Sequence, residues 1–167
     1  DAYNVAVGSS AGNDITTGIQ NTLIGGLAGD AITDADNNVA LGYSAMTVNV
    51  LGSESVAIGT FALNSQNPAS ATNMYNVAVG HNSGADITTG VQNTLIGALS
   101  GDALTDADYN VAVGVTALGG DTKGNKSTAI GYQALVSQNF TSATETYNTA
   151  VGMFAGGSVS TGTNNTF

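Results

Sequence analysis

Aspartates are the residues of this 167-residue chain with the clearest capacity for chemistry. Asp30, Asp34 and Asp36 recur as Asp102, Asp106 and Asp108. Carboxylates at that density, beside Asn37 and Asn38, supply the hard oxygens that Ca²⁺ takes. The run Asp34-Ala35-Asp36-Asn37-Asn38 begins like an EF-hand loop. It lacks the loop glycine and the twelfth-position glutamate, so that motif is rejected. The Gly-Gly-x-Gly-x-Asp pattern of calcium-binding β-rolls is also missing. The six aspartates therefore stand as candidate Ca²⁺ ligands against a plainer reading. In that reading they are solvated turns that keep the chain soluble and discourage lateral sheet pairing. A carboxylate pair in a cleft would serve a polysaccharide depolymerase of the phage-spike kind. Asp34 and Asp36 repeat rather than being unique, which fits a surface feature better.

Other catalytic chemistry finds little to use. His81 is the single histidine, and the residues one super-repeat before and after it are Ser9 and Met153. Cysteine is absent, which removes disulfides and thiolate metal sites. The serines fall in turns without an acid–base partner. No enzyme is expected, and no cofactor beyond Ca²⁺. Twelve acidic residues against Lys123 and Lys126 leave a net charge of -10. Phosphate recognition needs clustered Lys and Arg, so nucleic acid is an unsuitable partner, as is an anionic membrane surface. No apolar run is long enough to insert in a membrane.

The elements that would carry these residues follow from a repeat. Charged residues make up only 8% and mean hydropathy is positive, which argues against disorder. A five-residue unit recurs as Asn4-Val5-Ala6-Val7-Gly8, Asn21-Thr22-Leu23-Ile24-Gly25, Asn38-Val39-Ala40-Leu41-Gly42 and Ser55-Val56-Ala57-Ile58-Gly59. It continues from Asn76, Asn93, Asn110, Ser127 and Asn148, and begins again at Asn165. From one start to the next the numbering steps by 17 within a super-repeat, as from Asn4 to Asn21, and by 21 at its last coil, as from Ser55 to Asn76. Three short coils and one long coil make the super-repeat, spanning 4–75 and 76–147, with a third started at 148–167. Residues 1–167 read as one tandem-repeat domain. The chain ends inside a repeat unit, which suggests an excerpt of a longer array.

Within each unit the apolar period is 2, not 3.6, so the unit is a strand. Its second and fourth positions share one face, and its third faces the other way. Neither face is polar, and a strand apolar on both faces is buried on both. One face fills the coil interior. The other is expected to meet a second copy of the chain, and the alanine-bearing third position is the face assigned to that contact. The closing glycines (Gly8, Gly25, Gly42, Gly59, Gly80, Gly97, Gly114, Gly131, Gly152) need positive φ or a close backbone approach. The leading asparagines (Asn4, Asn21, Asn38, Asn76, Asn93, Asn110, Asn148) can hydrogen-bond along a ladder. These features predict an all-β parallel solenoid. At about 4.8 Å per coil, nine coils form a rod of roughly 43 Å.

The Asn-Val-Ala-Val-Gly and Ser-Val-Ala-Ile-Gly units resemble the head repeats of YadA-type trimeric autotransporter adhesins. Similar repeats occur in phage tail fibres. The resemblance covers essentially the whole chain, once per coil. It implies a left-handed parallel β-roll, three chains about one axis, and a place on a cell surface or virion outside the cell. Both coil lengths of this chain exceed the typical roll repeat, so a triangular β-helix remains an alternative cross-section.

In the long coils, Ser65-Gln66-Asn67-Pro68 and Ser137-Gln138-Asn139-Phe140 open an insertion. Such insertions project from one face of a solenoid and bind partners. Gln66, Asn67, Gln138, Asn139 and Phe140 are the candidate binding residues, set against a spacer that tunes twist. A host-surface glycan or protein is the expected ligand. Tyr3, Tyr75, Tyr109 and Tyr147 each precede a repeat Asn and read as aromatics packing on neighbouring coils, or as platforms for sugar rings. The function expected is a structural and adhesive extracellular fibre module. The alternatives are the depolymerase and an ice-binding solenoid, whose regular Thr array is missing, since Thr16-Thr17 and Thr88-Thr89 occur once per super-repeat.

Overall fold

Each apolar triplet of the repeat becomes a three-residue strand, and a glycine ends it. The computed structural model describes residues 2–167. Thirteen strands follow in chain order: β1 (Val5–Val7), β2 (Thr22–Ile24), β3 (Val39–Leu41), β4 (Gly52–Ser53), β5 (Val56–Ile58), β6 (Thr72–Asn73), β7 (Val77–Val79), β8 (Thr94–Ile96), β9 (Val111–Val113), β10 (Gly124–Asn125), β11 (Thr128–Ile130), β12 (Thr144–Glu145) and β13 (Thr149–Val151). No helix forms among the described residues. The chain winds as a parallel β-solenoid of about nine coils.

The long sheet runs β1-β2-β3-β5-β7-β8-β9-β11-β13, all parallel. Its register is that of the repeat: Ala6 lies opposite Leu23, and Leu23 opposite Ala40. Ala57 lies opposite Ala78 although the segment between them carries the insertion. Two small parallel sheets, β4–β6 and β10–β12, pair the chain beside each insertion.

The strands stop where the backbones come closest. Gly8 has φ +133, and a Cβ added there would sit 2.5 Å from the carbonyl oxygen of Gly25. Gly25 meets Gly42 in the same way. Positive φ and close approach thus act together at this column, and either alone would select glycine. The coil bends again through non-glycine residues at φ of 46–62°, including Leu27, Met46, Phe61 and Leu118. Each left-handed residue costs roughly 1–2 kcal/mol. Backbone hydrogen bonds to neighbouring coils hold these residues there, as Leu27 N to Ser9 O and Ser44 N to Gly26 O do.

The third strand position lies inside the coil, which corrects the assignment of that face to a contact between copies. Leu23, Ala40, Ala57, Ala78, Leu95, Ala112, Ala129 and Ala150 are fully buried within one chain. The second and fourth positions point outward. The reason is width: so short a loop of chain encloses little space, and the column of smallest side chains fits it.

That interior comes in two packings that trade volume. In the first, Gly29 follows Leu23 and precedes Ile32. A Cβ on Gly29 would lie 2.8 Å from Leu23 Cδ2 and 2.9 Å from Ile32 Cδ1. Leu23 also occupies the space above Gly12, 2.8 Å from a Cβ placed there. Leu95 fills the same space over Gly84 and Gly101, and Phe167 does so over Gly156. In the second packing, Met46, Leu63, Leu118 and Leu135 replace the glycine. The strand residue is then alanine, and the isoleucine gives way to Asn49, Gln66, Asp121 or Gln138, all fully buried. Within one coil a large group thus enters from the strand or from the facing turn, never both. At Gly84 and Gly156, whose coils have neither, Leu63 and Leu135 reach in from the coil before and Leu95 and Phe167 from the coil after.

A double-mutant cycle tests this exchange. Leu23→Ala should cost about 2–5 kcal/mol. Gly29→Met should cost about 1–3 kcal/mol through overpacking. The double variant should lose clearly less than the sum in urea unfolding. Strict additivity would show that the two sites do not share one volume.

Candidate functional site

The structure sorts the residues of interest into an interior polar spine, an acidic flank, two insertions and an outward apolar face. The spine starts at the asparagines. Asn4 Oδ1 accepts from the Asn21 N–H at 2.8 Å, and Asn21 Oδ1 accepts from Asn38 N–H at 3.0 Å. Asn38 Oδ1 then accepts from the Ser55 N–H. A second run goes from Asn76 through Asn93 and Asn110 to Ser127. Each amide NH₂ donates across its own coil, as Asn21 Nδ2 does to Ala35 O at 2.8 Å and Asn76 Nδ2 to Gly90 O at 2.7 Å. The side chains bond to backbone and also to one another, Asn93 Nδ2 donating to Asn76 Oδ1 and Asn110 Nδ2 to Asn93 Oδ1, each at 3.2 Å. Asn148 continues the column, accepting from Asn165 N–H.

Gln66 and Gln138 belong to this spine and not to a projecting loop, which corrects their place among the binding residues. Both are fully buried. Gln138 Oε1 accepts from Asn148 Nδ2 at 2.7 Å, and its Nε2 donates to Asp121 Oδ2 at 2.6 Å and Ser127 Oγ at 2.9 Å. Asp121 Oδ1 accepts from the N–H groups of Phe140 and Gly124. Phe140 is only 7% exposed and is likewise a packed residue. In the equivalent layer of the first super-repeat Asn49 replaces Asp121. There Gln66 Oε1 accepts from Asn76 Nδ2, but Gln66 Nε2 has no hydrogen-bond partner among the described residues. Asn67 and Asn139 are exposed, and their backbone N–H groups donate to Thr88 O and Ser160 O of the next coil. The insertions thus present Ala69–Ala71 and Thr141–Ala143 from a fixed base.

The aspartates are spread along the flank. No three His, Cys, Asp or Glu residues converge among the described residues. Asp34 accepts from the hydroxyls of Thr17 at 2.6 Å and Thr16 at 3.0 Å, which hold its carboxyl below the ordinary 3.8. Asp36 and Asp108 accept from the backbone N–H groups of Ile19 and Val91. Asp106 lies 3.5 Å from Lys123. Asp30 Oδ1 and Asp102 Oδ1 are buried without a hydrogen-bond partner among the described residues. Burial pushes the Asp102 carboxyl up, a hydrogen bond to its own backbone opposes this, and the Asp86 charge adds to it. Four of the six candidates thus tie one coil to the next through hydrogen bonds or an ion pair.

The outward face of the long sheet is of another kind. Its two columns, Val5 to Thr149 and Val7 to Val151, contain only Val, Ile, Leu and Thr. No charge interrupts them. Tyr75, Tyr109 and Tyr147 flank this face and are about half exposed. Tyr147 joins Lys126 and Glu145 in a surface network. No cavity opens among the described residues. His81 stands edge-on to Phe61 at 6.5 Å. Compared with known proteins, the chain matches no family model, no curated protein and no solved structure.

Two substitutions read the buried groups. Asp121→Asn would set an NH₂ against Gln138 Nε2, and should cost about 1–3 kcal/mol in equilibrium unfolding. No loss would mean that the layer rearranges freely. Asp102 has a raised folded value, so its ionisation opposes folding. Stability is lost as pH rises from 3.8 through that higher value. Asp102→Asn should therefore raise Tm at pH 7 and change little at pH 3. An equal Tm shift at both pH values would rule out ionisation as the cause.

Proposed function

We propose that this chain is a structural and adhesive module of an extracellular fibre, assembled as a homotrimer. The uncharged outward sheet face carries this reading. A chain of net charge -10 repels its own copies everywhere except where charge is absent. The two outward columns supply that surface as a continuous apolar stripe, an arrangement that marks interaction sites. Short and long coils stacked in register give length and stiffness, because each coil contacts only its neighbours and the array can be extended.

Adhesion rests on the insertions. They recur every four coils, about 19 Å apart at about 4.8 Å per coil, and a trimer multiplies them threefold. Contacts that are individually weak then gain avidity from geometry. Asn67 and Asn139, exposed at the base of the insertions, remain the residues proposed to meet a host glycan or protein. The six aspartates are proposed to serve solubility and coil-to-coil ties, with Ca²⁺ as the ligand to test by titration of Tm.

Sedimentation equilibrium of the chain is the deciding measurement. The expected mass is three times the 16.5 kDa of one chain. A folded monomer at all concentrations would remove the trimeric fibre reading and leave a free-standing solenoid.

A further inference from the structure

The outward stripe does not end at the sheet. Beyond each turn glycine the chain lifts one or two side chains beside it. Several are small (Ser9, Ser10, Gly26, Thr60, Ala98), and Leu27, Leu99 and Val115 are aliphatic. At two levels they form aromatic clusters. Tyr43 and Phe61 stack edge to face at 5.6 Å, and His81 continues the cluster. Tyr132 and Phe154 stack at 5.3 Å beside Met153. These groups are exposed, Tyr43 by 52% and Tyr132 by 45%.

The turn itself does not require them. Coils with Ser9 or Gly26 at the same place make the same turn. The clusters also ignore the super-repeat: one period after Tyr43 stands Val115, and one period after Phe61 stands Gln133. Core positions keep that period, so these residues answer to something outside the coil.

Area indicates what. Nine three-residue strands cover roughly 43 by 10 Å, about 430 Å². A stable interface needs about 800 Å² per partner. The two ledge residues after the glycine, at about 3.3 Å each, widen the face to about 17 Å and bring it to about 730 Å², close to that figure. We infer that the two aromatic ledges, Tyr43/Phe61/His81 and Tyr132/Met153/Phe154, are the anchoring points at which a second copy of this chain packs. The inference rests on the self-association proposed above. Buried aromatics carry most of the energy of interfaces, and the β-branched stripe between the ledges excludes water. Between in-register copies related by rotation about the rod axis, equivalent ledges lie at the same level.

The test replaces the ledges by residues the same coil positions already carry elsewhere: Tyr43→Ser, Phe61→Asn, Tyr132→Ser and Phe154→Asn together, after Ser9 and Asn82. Sedimentation across concentration should show self-association weakened at least tenfold, with an unchanged circular-dichroism spectrum. Hydroxyl-radical footprinting of the wild-type chain gives a readout free of any folding defect. Tyr43 and Tyr132, 52% and 45% exposed in one chain, should react several-fold more slowly than Tyr109, which is 50% exposed on the other flank of the stripe. If the wild type assembles but the variant assembles equally well, or the ledge reacts as fast as Tyr109, the ledges are not the anchors. If the wild type stays monomeric, the self-association reading falls and the ledge inference with it.

Discussion

The carbonyl of one turn glycine lies where the next lower glycine would carry its Cβ. This approach, repeated from Gly8 to Gly131, sets how closely the coils stack. It also makes the turn sharp enough for the coil to close on a very small interior. Between strand and facing turn, one larger group must then be balanced by a small one, Leu23 by Gly29 or Met46 by Ala40. The polar spine follows from the same closeness. With coils one strand spacing apart, an asparagine amide reaches the backbone N–H of its counterpart and a carbonyl across its own coil. The carboxylate and amide layer at Asp121 and Gln138 is possible only because that spine offers partners.

Strand positions, parallel register and the role of the glycines were readable from the repeat, because each is a local demand made again in every coil. The inward face was not. Alanine on one side and valine or isoleucine on the other are both apolar, and hydrophobicity alone gives the strand no inside. Width decides it, and width is a property of the closed coil. A signal did exist: alanine at the third position is exchanged for leucine only where glycine stands at residues such as Gly29. Such correlated exchange marks a shared interior.

Gln66 and Gln138 were misplaced for a related reason. They open the extra segment of the long coils and are polar, so they read as loop. Their place in the coil is that of Ile15, Ile32, Ile87 and Leu104. Asn49 and Asp121 share it, and all four polar residues accompany Met or Leu in place of glycine. Comparison by coil position rather than by neighbourhood separates them from Asn67 and Asn139, which do lie outside. The acidic flank was legible as a pattern but not as a purpose. Charge density suggests a cation, and only the hydrogen bonds of Asp34, Asp36 and Asp108 tie those side chains to neighbouring coils.

The alternation of two interior packings bears on how such a gene can change length. Recombination that removes or adds a whole super-repeat leaves every side chain beside the partner it already has. Loss of one or two coils does not. Loss of the Ala78 coil would join the coil of Leu63 directly to that of Leu95 and remove Gly84, whose space both side chains share. Whole blocks are therefore the units by which such an array changes length with its interior undisturbed.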